Sequence, residues 1–275
     1  MKRGEIFERA TAFVVWSAAA TTIAALIFIV GFILFKGIPH INPAIFSLEY
    51  TSENASMTPA IISTAMMTTL ALLIAVPFGV SAAIYLAEYA KRESWAAKIA
   101  RMTAETLSGI PSIIHGLFGL LFFVVFLGWG FSLLSGAFTL AIMILPLIMR
   151  ASEEALQSVP DSYREGAFGL GAGKLRMILK IALPSAMGGI FAGVTLAIGR
   201  IVGETAALIY TAGTVAQIPS SPMESARTLS VHMYALSSEG LHIDEGYATA
   251  AALLAIVIVI NALSAYIAKK AGGDA

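Results

Sequence analysis

The chain has 275 residues, 58% of them hydrophobic and only 12% charged, with a mean hydropathy of +0.84, well above the apolar share of ordinary soluble domains. Its 17 basic and 17 acidic residues cancel, which leaves no overall charge to favour nucleic acid or another polyanion. Cysteine is absent, so disulfide staples, thiolate metal sites and thiol nucleophiles are excluded.

The first apolar run, Ala10 to Phe35, is too long for the core of a cleaved signal peptide and has no small-residue cleavage site behind it. It reads as a retained anchor. Further runs follow near 60–87, 109–127, 134–150, 185–210 and 247–268, the third and fourth separated only by Gly128-Trp129-Gly130. Crossing roughly 30 Å of hydrocarbon takes about 20 helical residues. Backbone groups in lipid must be satisfied internally, and runs of this length are helices, not barrel strands. The expected fold is an all-α integral membrane protein of six transmembrane helices, one domain over 1–275.

Lys and Arg collect on the cytoplasmic side of short loops. With the N-terminus inside, the inner segments hold Lys2, Arg3, Arg9, Lys91, Arg92, Lys98, Arg101, Arg150, Arg164, Lys174, Arg176, Lys180, Lys269 and Lys270. The outer segments hold only Lys36 and Arg227. Both termini, and the loop 152–184, are therefore expected in the cytoplasm. Lys91 to Leu107 carries Trp95, Ile99, Met102 and Thr106 at helical spacing between charges, the pattern of an amphipathic helix lying along the inner surface. The outer loops 36–59 and 211–246 are polar, and the second contains the amphipathic run TLSVHMYALSS. They are candidate landing surfaces for an extracytoplasmic partner, or plain connectors.

Residues 165–184 read EGAFGLGAGKLRMILKIALP. Pro160-Asp161-Ser162 starts a helix, with Ser162 and Glu165 at capping-box spacing. Gly171 and Gly173 each weaken a helix by about 1 kcal/mol and are expected in a turn between two short helices, the second basic and leading into Pro184. Gly173-Lys174 is not a phosphate loop, because Phe168 and Leu175 stand where that motif needs Gly and Ser or Thr.

Arg200 and Glu204 lie four apart within the fifth apolar run, where a charge costs on the order of 2.5 to 3.5 kcal/mol. Four apart in a helical run, they are expected to share one face. Either they neutralise each other, in the weaker Arg-before-Glu order, or they face a pathway. A guanidinium offers forked donors suited to a tetrahedral oxyanion, and Glu204 would moderate its hold. In the third run, Gly109, Pro111, Gly116 and Gly119 thin or interrupt the helix, as happens where backbone lines a cavity or small residues pack closely. Ser112 and His115 are candidate substrate contacts there, against a packing role for the lone histidine. The four His residues 40, 115, 232 and 242 form no metal-spaced pair.

Glu165-Gly166-Ala167, Gly171, and Ile181, Leu183 and Pro184 resemble the coupling-loop signature of binding-protein-dependent ABC importer permeases, Glu-Ala-Ala, three residues, Gly, nine residues, Ile-x-Leu-Pro, with Gly166 replacing an alanine. Arg200 with Gly203-Glu204-Thr205-Ala206, Gly109-Ile110-Pro111-Ser112, Gly116-Leu117-Phe118-Gly119 and Val231-His232-Met233-Tyr234 are similar to the phosphate-specific, PstA-type branch. His232 departs, being more basic than expected there. The resemblance implies a type I (MetI-like) importer fold in a prokaryotic inner membrane, no enzyme activity or cofactor in this chain, and a coupling knob that docks in a groove of a separate ATPase. It further implies a homologous permease partner in a heterodimer, two ATP-binding subunits and an extracytoplasmic phosphate-binding protein; the candidate pathway residues are Arg200, Glu204, Thr205, Ser112 and His115. The rival readings are the same architecture serving molybdate, tungstate or sulfate, and a secondary transporter with Glu204 as proton carrier.

Overall fold

A computed structural model describes residues 2–91, 94–240 and 242–272; Arg92 lies outside them, as do the side chains of Lys2, Arg3, Arg9, Lys269 and Lys270. The described residues are helical, with no strand. The helices are α1 (Lys2–Gly37), α2 (Thr58–Ile84), α3 (Trp95–Gly109), α4 (Ser112–Gly119), α5 (Leu133–Gln157), α6 (Asp161–Gly169), α7 (Lys174–Met177), α8 (Leu183–Val202), α9 (Ala206–Ile209), α10 (Leu229–Glu239) and α11 (Ile243–Gly272). Wider π-helical turns extend α2 through Tyr89 and α4 through Phe126, and join α7 to α8.

Five helices are long and apolar enough to span a membrane, among them Lys174–Val202 as one continuous piece. The expected third span takes a different form. The chain bends by 100° between α3 and α4, because Pro111 keeps the residue before it out of the helical region and Ile110 is extended at φ −72°, ψ 130°. Counting this broken pair gives the sixth span.

The central helix is α5, whose Leu140, Ile144 and Ile148 are fully buried. α2 packs on it through Met67, Ala71, Ala75 and Gly79, all buried. On the other side of α5, a Cβ on Gly189 or Gly193 of α8 would press on Ala155 and Ala151, the small-residue contact by which helices approach closely in lipid, where packing and not water exclusion drives association. α1 lies apart. Its apolar side chains, such as Trp16 and Phe28, are exposed, and it meets the rest at its end, where Phe32 stacks edge-on with Tyr247 of α11 at 6.0 Å.

α3 presents its alanines inward, Ala97 and Ala104 being buried, while Trp95, Ile99 and Met102 are exposed. The predicted apolar face therefore points away from the bundle, as an interfacial helix requires. A second core forms around Leu86, Ala97, Leu156, Ala167, Met177 and Ile178, at the end expected to be cytoplasmic. The third, at the opposite end, joins Ile45, Met57, Ala60, Leu229 and Ala248.

Candidate functional site

The segment between α5 and α8 is shorter than its sequence boundaries. α5 continues to Gln157, and one helical stretch runs from Lys174 through α7 and the π turn into α8, so the segment that projects between the long helices is residues 158–173 with α7 at its end. Pro184 does not break the helix, since the π turn Ile178–Ala182 directly before it accommodates the ring and the missing N–H. The capping box is not formed: Pro160 is the N-cap and Ser162 lies inside α6, with no side-chain cap bond. The turn after α6 is as expected. Gly171 sits at φ +80°, its amide bonds to the Phe168 carbonyl at 2.9 Å and that of Ala172 to Ala167 at 3.0 Å, the paired C-terminal bonds of a Schellman turn.

On this knob Glu165, Gly166 and Gly171 are exposed, whereas Ala167 is buried in the second core. Leu170, at the tip, is 91% exposed, with Phe168 and Leu175 beside it in sequence also exposed. Ile181 and Leu183 are half-buried and Pro184 exposed on the helix that follows. The two groups thus divide, an apolar outward tip and a stem anchored by Ala167.

The end of α8 departs from the single-helix expectation. α8 stops at Val202, Gly203 closes it, and a separate short α9 starts at Ala206. Arg200 and Glu204 therefore do not share a helical face. The cause is local: glycine weakens the helix, and the Glu204 side chain takes up a backbone amide that a continuing helix would have used. Its Oε1 accepts from the Ala207 N–H at 3.0 Å, and its backbone carbonyl accepts from the Ser230 hydroxyl of α10. Glu204 is 8% exposed. Arg200 is exposed and has no hydrogen-bond or ionic partner among the described residues.

α4 packs against α9, with Gly116 on the backbone of Ala207. This brings the element carrying Ser112 and His115 against the one that follows Glu204 and Thr205. Ser112 and Thr205 are half-buried. His115 is buried, and neither ring nitrogen has a partner, although an unpaired buried polar group costs about 1–3 kcal/mol.

Three features escaped the reading of the sequence. Arg101 pairs with the buried Glu153 at 2.7 Å, tying α3 to α5. Arg164 pairs with the buried Glu88 at 2.8 Å. The signal in both cases was an acid at the end of an apolar run, Glu88 alone and Glu153 beside Glu154, which sequence spacing could not connect to a cation 76 or 52 residues away. The third is the setting of His232, which the sequence marked only as more basic than expected and which is fully buried on α10. Its Nε2 donates to the Ala55 carbonyl at 3.3 Å and its Nδ1 accepts from Arg227 at 3.5 Å, while Tyr50 packs edge-on against the ring. Burial first, and the Arg227 charge second, push its pKa down to about 4. No group of His, Asp or Glu suited to a metal occurs among the described residues.

A profile of the family described as "Binding-protein-dependent transport system inner membrane component" matches residues 75–271. The probable ABC transporter permease protein YqgI of Bacillus subtilis is 35% identical over 206 residues, 69% of this chain and 70% of that protein. The phosphate transport system permease protein PstA of Yersinia pestis is 38% identical over 193 residues, 68% of this chain and 63% of its own length; that of Pasteurella multocida is 40% identical over 187 residues, 66% and 64%. Among solved structures, an inward-facing MetNI methionine ABC transporter chain superposes with a TM-score of 0.61 at 19% identity, over 76% of this chain and 93% of that one. A chain of a bacterial alginate ABC transporter gives 0.64 at 17%, over 94% and 95%. These likenesses carry the fold, and the family match carries more: the chain belongs to the binding-protein-dependent transport system inner membrane components, multi-pass membrane subunits of ABC importers.

Proposed function

We propose that the chain, as one permease domain over 1–275, forms half of a pathway for inorganic phosphate, beside a homologous permease, two ATP-binding subunits and an extracytoplasmic phosphate-binding protein. The observation that carries the anion reading is Arg200, a cation at the end of a membrane-spanning helix that no other described residue neutralises. The names of several relatives at 36 to 40% identity support phosphate as that anion. Arg200 supplies the forked donors for a tetrahedral oxyanion; Ser112, His115 and Thr205 supply polar contacts on the neighbouring elements. Glu204, held by the fold, sets the local potential against fully deprotonated anions instead of competing for the same donors.

The knob of α6 and α7 is the docking element for the ATPase, with Glu165, Gly166, Ala167 and Gly171 shaping it and Ile181, Leu183 and Pro184 leading its motion into α8. ATP-driven closure of two such knobs opens the pathway outward, and hydrolysis resets it.

The test is ATP-dependent uptake of radiolabelled phosphate in vesicles holding this chain with its copurifying subunits. Wild type accumulates phosphate, Arg200→Ala and Glu165→Arg do not, and only Glu165→Arg loses the ATPase subunit. Uptake of molybdate, tungstate or sulfate without phosphate uptake keeps the importer and discards phosphate; uptake that follows the proton gradient without ATP overturns the importer reading.

A further inference from the structure

Of the nine residues of α6, only Ala167 is buried and only Arg164 is half-buried. A methyl group and one guanidinium therefore fix this helix to the membrane bundle. The guanidinium is saturated. Its Nε and Nη2 both donate to Glu88 Oε1, at 3.1 and 2.8 Å. Nη2 also donates to the Leu156 carbonyl at 2.7 Å, and Nη1 to the Val159 carbonyl at 2.6 Å and to Asp161 at 3.2 Å.

These partners belong to different helices. Leu156 lies in the last turn of α5, whose carbonyls have no partner within the helix and gather negative potential. Glu88 lies in the π turn that ends the α2 segment, with a side chain only 5% exposed. Arg164 is thus the one side chain of α6 that holds the ends of α2 and α5 together. A buried ion pair is a poor source of stability compared with apolar packing, and its best-attested use is to fix one arrangement against others. A forked, charge-assisted contact constrains direction as well as distance.

We infer that Arg164 is the positioning residue through which displacement of α6 reaches α2 and α5 as one body. This rests on the reading of α6 and α7 as the ATPase docking element. When α6 is pushed, the short charged bonds carry α2 and α5 with it. Without the guanidinium, α6 turns about Ala167, and hydrolysis no longer moves the pathway.

The experiment uses the assembled transporter in vesicles and measures three quantities: ATPase subunit retained, ATP hydrolysed, and radiolabelled phosphate moved per ATP. Arg164→Met retains the ATPase subunit and hydrolyses ATP, but phosphate moved per ATP falls at least tenfold. Glu88→Leu uncouples in the same way, and Glu88→Gln, whose amide oxygen still accepts the guanidinium, recovers most of that loss. A ratio within twofold of wild type in Arg164→Met overturns the inference. If Arg164→Met does not accumulate in the membrane, the Glu88 pair decides: equal ratios in Glu88→Leu and Glu88→Gln overturn it. Failure of the docking reading is distinct, since Leu170→Asp with Glu165→Arg would then keep the ATPase subunit bound.

Discussion

A Cβ placed on Gly116 would stand 2.7 Å from the Cα of Ala207, so α4 touches the backbone of α9 next to the amide that Glu204 caps. The obstacle is main chain, which cannot rotate aside. Gly116→Ala is expected to separate the two helices and to destabilise the protein by about 1–3 kcal/mol, as overpacking does. Gly109→Ala is the matched control: nothing lies within 4 Å of its added methyl, and it is expected within about 0.5 kcal/mol of wild type. Thermal unfolding of the detergent-solubilised chain compares the two.

The different settings of Arg200 and Glu204 predict different kinds of loss. Arg200 is exposed and has no partner among the described residues, so Arg200→Ala is expected to leave the melting behaviour within about 0.5 kcal/mol of wild type and, on the proposed pathway role, to abolish anion uptake. Glu204→Ala removes the acceptor for the Ala207 amide and is expected to cost about 1 kcal/mol, the usual worth of such a cap. Glu204→Gln keeps an acceptor oxygen and most of that stability, which isolates the effect of charge on uptake. Equal melting losses in Arg200→Ala and Glu204→Ala would contradict this division.

What the sequence made legible was whatever depends on local pattern. Apolar run length set out the spans, and Gly171 marked the turn that the structure closes at positive φ. The break at Ile110-Pro111 was visible as a proline signal, but not its 100° angle, which is set by packing of α3 and α4 on α5. The division of Arg200 from Glu204 was hidden because apolarity continues through Leu208 and Ile209, past the glycine that ends the helix. Hydropathy reports the depth of a segment, not whether its backbone stays helical. The contacts of Arg164 with Glu88 and of His232 with Ala55 join segments 76 and 177 residues apart, and no spacing rule within one helix reaches them.

His232 makes stability depend on acid. Its ring is held neutral, with Nε2 donating to a carbonyl and Nδ1 facing a guanidinium that can only donate. The folded pKa, about 4, lies below the ordinary 6.5, so the unfolded chain binds a proton between these values and the folded chain does not. Stability is therefore full above pH 6.5, falls as pH drops towards 4, and is flat below. The whole shift corresponds to about 3 kcal/mol. Melting curves of wild type and His232→Gln between pH 8 and pH 4.5 should differ in slope by roughly 1 kcal/mol per pH unit below pH 6.5; parallel curves would remove the linkage.

Gly171 and Leu170 separate the shape of the knob from its surface. Gly171 holds φ +80° with open space around it, so Gly171→Ala meets no clash and is penalised only through the left-handed backbone, by roughly 1 kcal/mol. Strain there loosens the Schellman bonds to Phe168 and Ala167 and misdirects the tip. Leu170, nearly fully exposed, contributes little to this chain's own fold, so Leu170→Asp is expected to leave melting within about 0.5 kcal/mol. On the proposed docking role of the knob, a charge at this tip is nevertheless expected to remove most of the ATPase subunit from the purified complex. Copurification reads both variants, and because the glycine acts on geometry alone, Gly171→Asn, which tolerates the left-handed region, should restore more binding than Gly171→Ala. Retention of the full ATPase complement by Leu170→Asp would move the docking surface away from the tip of α6.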